Sequence, residues 1–276
     1  MIGLNRNLAP MSDEAWKRVE DEARDVLRLH LAGRRIFDFE GPLGWGHSAI
    51  DLGRVEVLEG GGPTQAILRK RVVRPLVELR VPFELDRREL EGIDRGASAV
   101  DLDPLRDAAR LFAAAEDSAL FEGYADGDIP GLLTDAEHEG VALPEDPEAL
   151  PDAVSAGLEH LRQAGVAGPY GVVLGPVVYG RLDRARSAGG YPVLRHVQRL
   201  IDRPVVWAPS LRGGAVVSLR GGDFKIVCGR DAALGYLDHD GDHVRLHLEE
   251  SFSAELSGPE AVVPLLREPE RAAPEV

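Results

Sequence analysis

The apolar positions near the start of the chain are Trp16, Val19, Ala23, Val26, Leu27 and Leu31, three or four apart with charges between them. That period makes one stripe of an amphipathic helix. Ser12 stands where an N-cap belongs, and Asp13 and Glu14 occupy the first turn, where the helix dipole favours acids. Gly33 predicts the stop. The pattern then changes: Ile36, Phe37 and Phe39 lead into Gly41-Pro42 and two more glycines, Gly44 and Gly46. Clustered glycines suit a phosphate cradle or a hinge. No lysine follows and no buried strand precedes, which favours the hinge.

Two β-prone runs across residues 49–85 flank Gly60-Gly61-Gly62-Pro63 and predict a long hairpin with a flexible tip. Their faces are thinly apolar. A two-stranded hairpin is marginal in water, so this one needs a surface to lie on, and a projecting hairpin finds it on another subunit. Asp103-Pro104 reads as an N-cap followed by proline at N1. Leu105, Ala108, Ala109, Phe112, Ala115 and Ala119 mark one face of the long helix that follows, closed by Gly123. An acidic, proline-rich stretch then reads mostly as loop. A third helix runs to Gln163 and stops at Gly165, "PYGVVLGP" is a short buried strand, and further helices start at Pro176 and Pro192. After Pro204 the chain turns to strands: "VVWAP", "AVVSLR", "FKIVCG" and "HVRLHLEESFSAEL". In the last, Val244, Leu246, Leu248, Phe252, Ala254 and Leu256 share a face that Glu250 interrupts, which predicts a bulge or a pairing partner there. The tail after Leu266 reads as disordered.

Composition narrows the class. The 276 residues are 44% hydrophobic and 29% charged, as in a soluble globular protein of one large or two small domains. A single cysteine, Cys228, excludes an intrachain disulfide and a cysteine-based zinc cage. No signal peptide and no membrane span are legible, so the expected location is cytoplasmic. The formal charge of −15 is uneven: residues 111–161 hold thirteen acids and no Lys or Arg. That segment is a solvated acidic face or a cation-attracting one, and it argues against nucleic acid as a partner. Catalytic constellations are missing: no nucleophile elbow, no paired-histidine zinc helix, no phosphate loop. "DHDGDHVRLH" gathers His239, His243 and His247, but Asp240-Gly241 suits a hairpin turn. His243 and His247 would then point outward, roughly 13 Å apart by strand rise, too far for one metal. Cys228 reads as a core thiol, and Trp16, Trp45 and Trp207 as packing residues. The expectation is no catalytic residue and no metal site.

Several stretches in order resemble the encapsulins, the bacterial and archaeal nanocompartment shell proteins. They are "LAP" with Trp16 behind it, "LAGRRIFDFEGPLGW", "AAEDSALFEG", "GPYGVVLGP", "GGYPVL", "RGGDFKIVCGRDAALGY" and "VRLHLEESFSAEL". The series spans nearly the whole chain and is similar to the first encapsulin family, also known as linocin-like bacteriocins. The resemblance implies an α+β fold, that of tailed-phage major capsid proteins (Hong-Kong-97-type). Residues 1–45 would be the N-terminal helix and junction, 46–82 the E-loop hairpin, 83–129 and 221–266 the P-domain with its spine helix, 130–220 the A-domain, and 267–276 a disordered tail.

The resemblance also implies a non-enzymatic protein that self-assembles with itself into an icosahedral shell (T=1, sixty copies) around a cargo enzyme. That cargo is a dye-decolourising peroxidase or a ferritin-like iron-storage protein, held through a C-terminal targeting peptide. The positions matching the cargo-peptide groove are Leu27, Leu31, Arg34, Ile36, Asp38 and Phe39, with Leu234, Gly235 and Tyr236 opposite. Apolar anchors would give affinity, and Arg34 and Asp38 would set register. Arg184, Arg186, Ser187, Ala188, Gly189 and Gly190 would lie at a five-fold pore. Some members stack a flavin on an aromatic after the E-loop strand; here that position is Arg88, so no cofactor is expected. The competing readings are a secreted bacteriocin or protease and a phage major capsid protein.

Overall fold

The computed structural model describes residues 3–58 and 67–266. The glycine-rich hairpin tip at 60–63 and the tail after Leu266, both expected to be mobile from sequence, lie outside the described residues. The first half of the chain runs α1 (Asp13–His30), β1 (Asp38–Glu40), β2 (Ala49–Val57), β3 (Arg69–Pro75), β4 (Val77–Asp86), α2 (Arg87–Asp94) and α3 (Asp103–Glu122). The second half runs β5 (Val141–Ala142), α4 (Leu150–Gln163), β6 (Tyr170–Leu174), α5 (Pro176–Arg184), α6 (Val193–Leu200), β7 (Val206–Trp207), β8 (Gly214–Ser218), β9 (Phe224–His239), β10 (His243–Leu256) and β11 (Val262–Leu266).

The strands form a four-stranded sheet, β1-β9-β10-β4, a five-stranded sheet, β5-β11-β8-β6-β7, and a separate pair, β2-β3. Two apolar cores follow. In one, α1, α2 and the first turns of α3 bury Trp16, Leu27, Leu90, Leu105 and Phe112 against Leu234 and Leu246 of the four-stranded sheet. In the other, α4 and α6 bury Leu158 and Val197 against Val172 and Val216 of the five-stranded sheet. Three long elements cross between them. α3 puts Phe112 and Ala113 in the first core and Leu120 and Phe121 in the second; β10 divides in the same way at Leu248 and Phe252, and β9 at Leu234 and Ile226.

Local sequence explains most element ends. Ser12 Oγ accepts the Ala15 N–H at 3.0 Å and starts α1 as expected. α1 ends earlier than the glycine predicts: Leu31 is the C-cap, its N–H donating to the Leu27 carbonyl, while Gly33 opens a 3-10 turn over Gly33–Arg35. Gly33 is needed for a close approach. A Cβ there would stand 2.6 Å from Leu120 Cδ1 and 3.1 Å from Asp117 Oδ1 on α3. α3 begins one residue earlier than read, with Leu102 at the N-cap and Asp103 as its first residue; Asp101 Oδ1 accepts the Asp103 N–H.

Three expected boundaries shift. The segment 46–82 divides, because β2 and β3 pair only with each other whereas β4 from Val77 pairs with β10. The strand read as "FKIVCG" runs on to His239, the long partner that β10 requires. β11 leaves β10 and pairs with β8 and β5, so the end of the 221–266 segment belongs to the five-stranded sheet. The Gly41–Gly46 stretch is stitched rather than free to swing: the Leu43 and Gly44 N–H groups donate to the Cys228 and Gly229 carbonyls at 2.9 and 2.7 Å. At Glu250 both expected features occur together. The β9–β10 register shifts between Glu249 and Ser251, and Glu250 has a charged partner.

Adding a methyl group where α3 crosses the 31–36 segment is expected to be costly, because Leu120 is fully buried and cannot move aside. Gly33→Ala should lower unfolding stability by about 1–3 kcal/mol, the usual range for overpacking a filled interior. Urea denaturation of the two proteins side by side measures this.

Candidate functional site

Between α1 and β9 the molecule has a groove of about 590 Å³. Leu27 and Leu31 supply one wall and Ala232 and Leu234 the other; Leu248 of β10 and Leu4 of the N-terminal segment close the apolar lining. The floor is preformed, since Leu27, Leu31, Leu234 and Leu248 already belong to the first core. Leu4 is held there by its carbonyl, which accepts the Tyr236 N–H at 2.8 Å. Arg6 stands at the rim, paired with Glu20 and lying 4.3 Å over the Trp16 ring. Arg24, Arg28 and Arg35 add further cationic groups to the rim.

The groove gathers only part of the expected set. Leu27, Leu31, Arg34 and Leu234 line it together. Ile36 and Asp38 face a second hollow of about 470 Å³, beside Pro204, Val206 and Phe224. Asp38 is engaged there, its Oδ2 accepting the Gly222 N–H at 2.6 Å. Phe39 is 40% exposed, with the Arg34 guanidinium 5.2 Å from its ring centroid. Gly235 lies under the His247 ring, and Tyr236 reaches the site through its backbone bond to Leu4. Sequence reading missed Leu4, Ala232 and Leu248. Only Leu248 had a signal, its place on the apolar face of β10.

Arg34 has a role that sequence reading missed. Its Nε and Nη2 donate to both Glu116 oxygens, two of these bonds at 2.8 Å. Nη2 also donates to Glu250 Oε2 at 2.7 Å, and Nη1 to Asp231 Oδ1 at 2.6 Å. The guanidinium thus bonds three acids of its own chain while lining the groove. Asp117, next to Glu116 on α3, accepts the Ala32 and Gly33 N–H groups at 3.0 and 2.8 Å. Three carboxyls thus pair with one cation where α3, β9 and β10 pass between the cores, and a fourth, Asp117, holds the backbone beside it.

Burial acts on the titration of Arg34, Glu250 and Asp117. It opposes the Arg34 charge, but hydrogen-bonded Glu116, together with Glu250 and Asp231, outweighs it and holds the guanidinium above its already high ordinary value. Burial, reinforced by Glu116, pushes Glu250 well above the usual carboxylate range. Glu250 Oε1, the oxygen Arg34 does not bond, is buried without a partner, which fits a retained proton. Asp117 is pushed up to about 7, mainly by burial and against the pull of the two N–H groups it accepts. Burial and then the nearby Asp231 carboxylate raise the Cys228 thiol to about 12, so it is an inert core thiol.

The other singled-out residues have structural settings. Asp240 Oδ1 accepts the Asp242 and His243 N–H groups and forms the turn between β9 and β10. His247 is not outward-facing as expected: it is 1% exposed, and its Nε2 lies 3.0 Å from Glu249 Oε2. Trp45 is partly exposed, with Arg230 over its ring at 3.8 Å, and Trp207 meets His30 edge-on at 5.6 Å. Arg184 ends α5, and residues 187–190 form a tight exposed turn in which the Gly190 N–H donates to the Ser187 carbonyl at 2.7 Å. Gly190 has φ +78, which only glycine adopts freely. Arg88, in the first turn of α2, donates to Asp86 through both backbone and side chain and lowers that carboxyl to about 2.

The family described as "Encapsulating protein for peroxidase" matches residues 1–253. The chain is 48% identical over 270 residues to the type 1 encapsulin shell protein of Rhodospirillum rubrum, covering 96% of each. It is 41% identical to the shell protein of the same name from Mycolicibacterium paratuberculosis, over 96% of this chain and 99% of that one. Among solved structures, the virus-like particle from Pyrococcus furiosus is 18% identical with a TM-score of 0.62, covering 92% of this chain and all of that one. The capsid of a native GTA particle gives 0.54 at 18% identity, over 85% and 89% of the two chains. These structures have the tailed-phage capsid fold. The relatives are named as shell proteins, a structural role, and not as proteases or bacteriocins.

The Asp117 shift has a definite sign. A carboxyl raised from 3.8 to about 7 on folding stabilises fully below pH about 4, and the contribution is lost as pH climbs through about 7. Asp117→Asn cannot titrate. The fall in melting temperature between pH 5 and pH 8 is therefore expected to be smaller in the variant than in the parent, which scanning calorimetry at the two pH values measures.

Proposed function

From the premise that this chain belongs to the family of encapsulating proteins for peroxidase, we propose that it takes hold of its cargo in the groove between α1 and β9. It is a shell protein that assembles with copies of itself into a closed nanocompartment, and its role is structural. The observation that carries the reading is the open apolar groove of about 590 Å³, whose floor is already packed into the core before any ligand arrives.

An extended C-terminal segment of a cargo enzyme suits this shape. Its apolar side chains would settle against Leu27, Leu31, Ala232 and Leu234 at about 25 cal/mol per Å² buried. Phe39 offers a further exposed apolar face beyond Arg34. A short peptide is weak by itself, and several copies on one oligomeric cargo reach firm retention through effective concentration. The cargo in this reading is a peroxidase of the dye-decolourising kind or a ferritin-like iron-storage protein. The shell is the smallest icosahedral one, built of sixty copies in the cytoplasm. The turn at 187–190 lies at its five-fold pore. The shell works without a cofactor of its own: where a flavin-stacking aromatic would stand, Arg88 is exposed and held by Asp86.

Filling the groove tests this without cutting into the core. Ala232→Trp puts an indole where the peptide would lie. Shells of this variant should assemble normally but capture a fluorescent protein bearing the targeting tail of a co-encoded peroxidase about 10–100-fold less well. That is the loss of about 1.5–3 kcal/mol for one apolar anchor. Co-sedimentation of fluorescence with shells gives the ratio; equal capture by parent and variant would move the site elsewhere.

A further inference from the structure

Ion pairing is unevenly distributed over this chain. In and around the four-stranded sheet, arginines such as Arg34, Arg80, Arg106 and Arg245 each hold one or more carboxylates. The layer built on the five-stranded sheet is different. Arg181 and Arg184 on α5, Arg186 in the turn after it, and Arg195 and Arg199 on α6 are all exposed. Among the described residues none of them meets an acid. Arg186 donates to the Asp183 and Ala185 carbonyls, Arg195 to Gln198, and Arg199 lies over Tyr191.

The same layer carries the complementary excess. Glu148, Asp152 and Glu159 follow one face of α4 and the turn before it; all three are exposed, and none holds a cation among the described residues. α4 and α6 pack against each other, and Arg and Glu side chains are long, yet no ion pair joins them. Within one copy the two charged faces therefore leave each other unpaired among the described residues. On the arginine face the like charges stand three and four residues apart on their helices, Arg181 with Arg184 and Arg195 with Arg199, which is itself unfavourable. This arrangement suits a surface that meets its opposite on another molecule.

A closed shell of identical copies supplies that molecule. Its ring contacts are heterologous, setting one face of each subunit against a different face of the next. We propose that the acidic face of α4 docks on the arginine face of α5 and α6 of a neighbouring copy, so that ion pairs between copies join the shell in this layer. The acid-rich segment then faces a second copy of this chain. The proposal rests on shell assembly and is independent of the cargo groove.

Charge exchange in the full-length, cargo-free chain tests it. One variant carries Arg181→Glu, Arg195→Glu and Arg199→Glu; a second carries Glu148→Arg, Asp152→Arg and Glu159→Arg; a third carries all six. Each single-sided variant sets like charges against each other at the three reversed positions and should lose the shell peak in size-exclusion chromatography to small oligomers, with circular dichroism showing that they are folded. The six-fold variant restores these pairings with the signs exchanged and should regain the shell. Shells from all three variants, or from none, would overturn the proposal. Because no cargo is present, the outcome does not depend on the peptide-binding reading.

Discussion

Everything else in the molecule is arranged around the ion cluster of Arg34. The two apolar cores meet along a seam, and α3 and β10 cross it with buried acids: Glu116 and Asp117 between Ala113 and Leu120, Glu249 and Glu250 between Leu248 and Phe252. The 31–36 segment crosses it too, with Arg34 between Leu31 of one core and Ile36 of the other. Removing these charges from water is expensive, and a hydrophobic seam of the same shape could be as stable or more so. What the cluster adds is position. Glu116 takes two parallel hydrogen bonds from a rigid guanidinium and Glu250 a third, so three elements are indexed to one another at a single point. Breaking it would leave the fully buried Glu116 without its cation, a cost of about 3–5 kcal/mol.

That indexing sets the groove and the frame together. Leu31, three residues before Arg34, is a wall of the groove; Asp38, four residues after it, begins the edge strand β1 on β9. Asp117 holds the turn between them through the Ala32 and Gly33 N–H groups. β1 then leads into the stitched 41–46 loop and out to the β2–β3 pair. That pair exposes Val55, Val57, Ile67 and Val73 along and beside its strands and joins neither sheet. Such a two-stranded ribbon is marginal alone, which is consistent with a chain that completes itself only in an assembly.

Helices and most strands were legible because their information is local: the 3.6-residue stripe of α1, proline at the starts of α3 and α5, and alternation along β10. The break at Glu250 was legible as well, since a lone acid on an apolar face requires either a bulge or a partner. Its partner was not legible, because Arg34 lies 216 residues away and is one arginine among many. For the same reason the internal bonds of Arg34 were not legible, and it read as a peptide contact alone. Gly33 read as a helix stop, although its cause is a side chain on α3, and a glycine required by packing cannot be told from one required by backbone conformation in sequence. His247 read as exposed because the pattern counts polarity, whereas β9 covers the ring at Gly235. The family resemblance supplied the architecture and only part of the groove.

A preformed groove has a consequence for how a shell can work. The floor residues Leu27, Leu234 and Leu248 are held by the first core whether or not a peptide is present, and the cluster beside them is closed by its own acids. In the proposed binding mode the shell needs little ordering, and most of the entropic cost falls on the peptide. A flexible tail docking on a rigid surface gives a shallow affinity per site, which multiplicity raises. On the proposed reading, assembly and cargo capture are separable events in one chain, the first governed by contacts between copies and the second by a patch of side chains already in place.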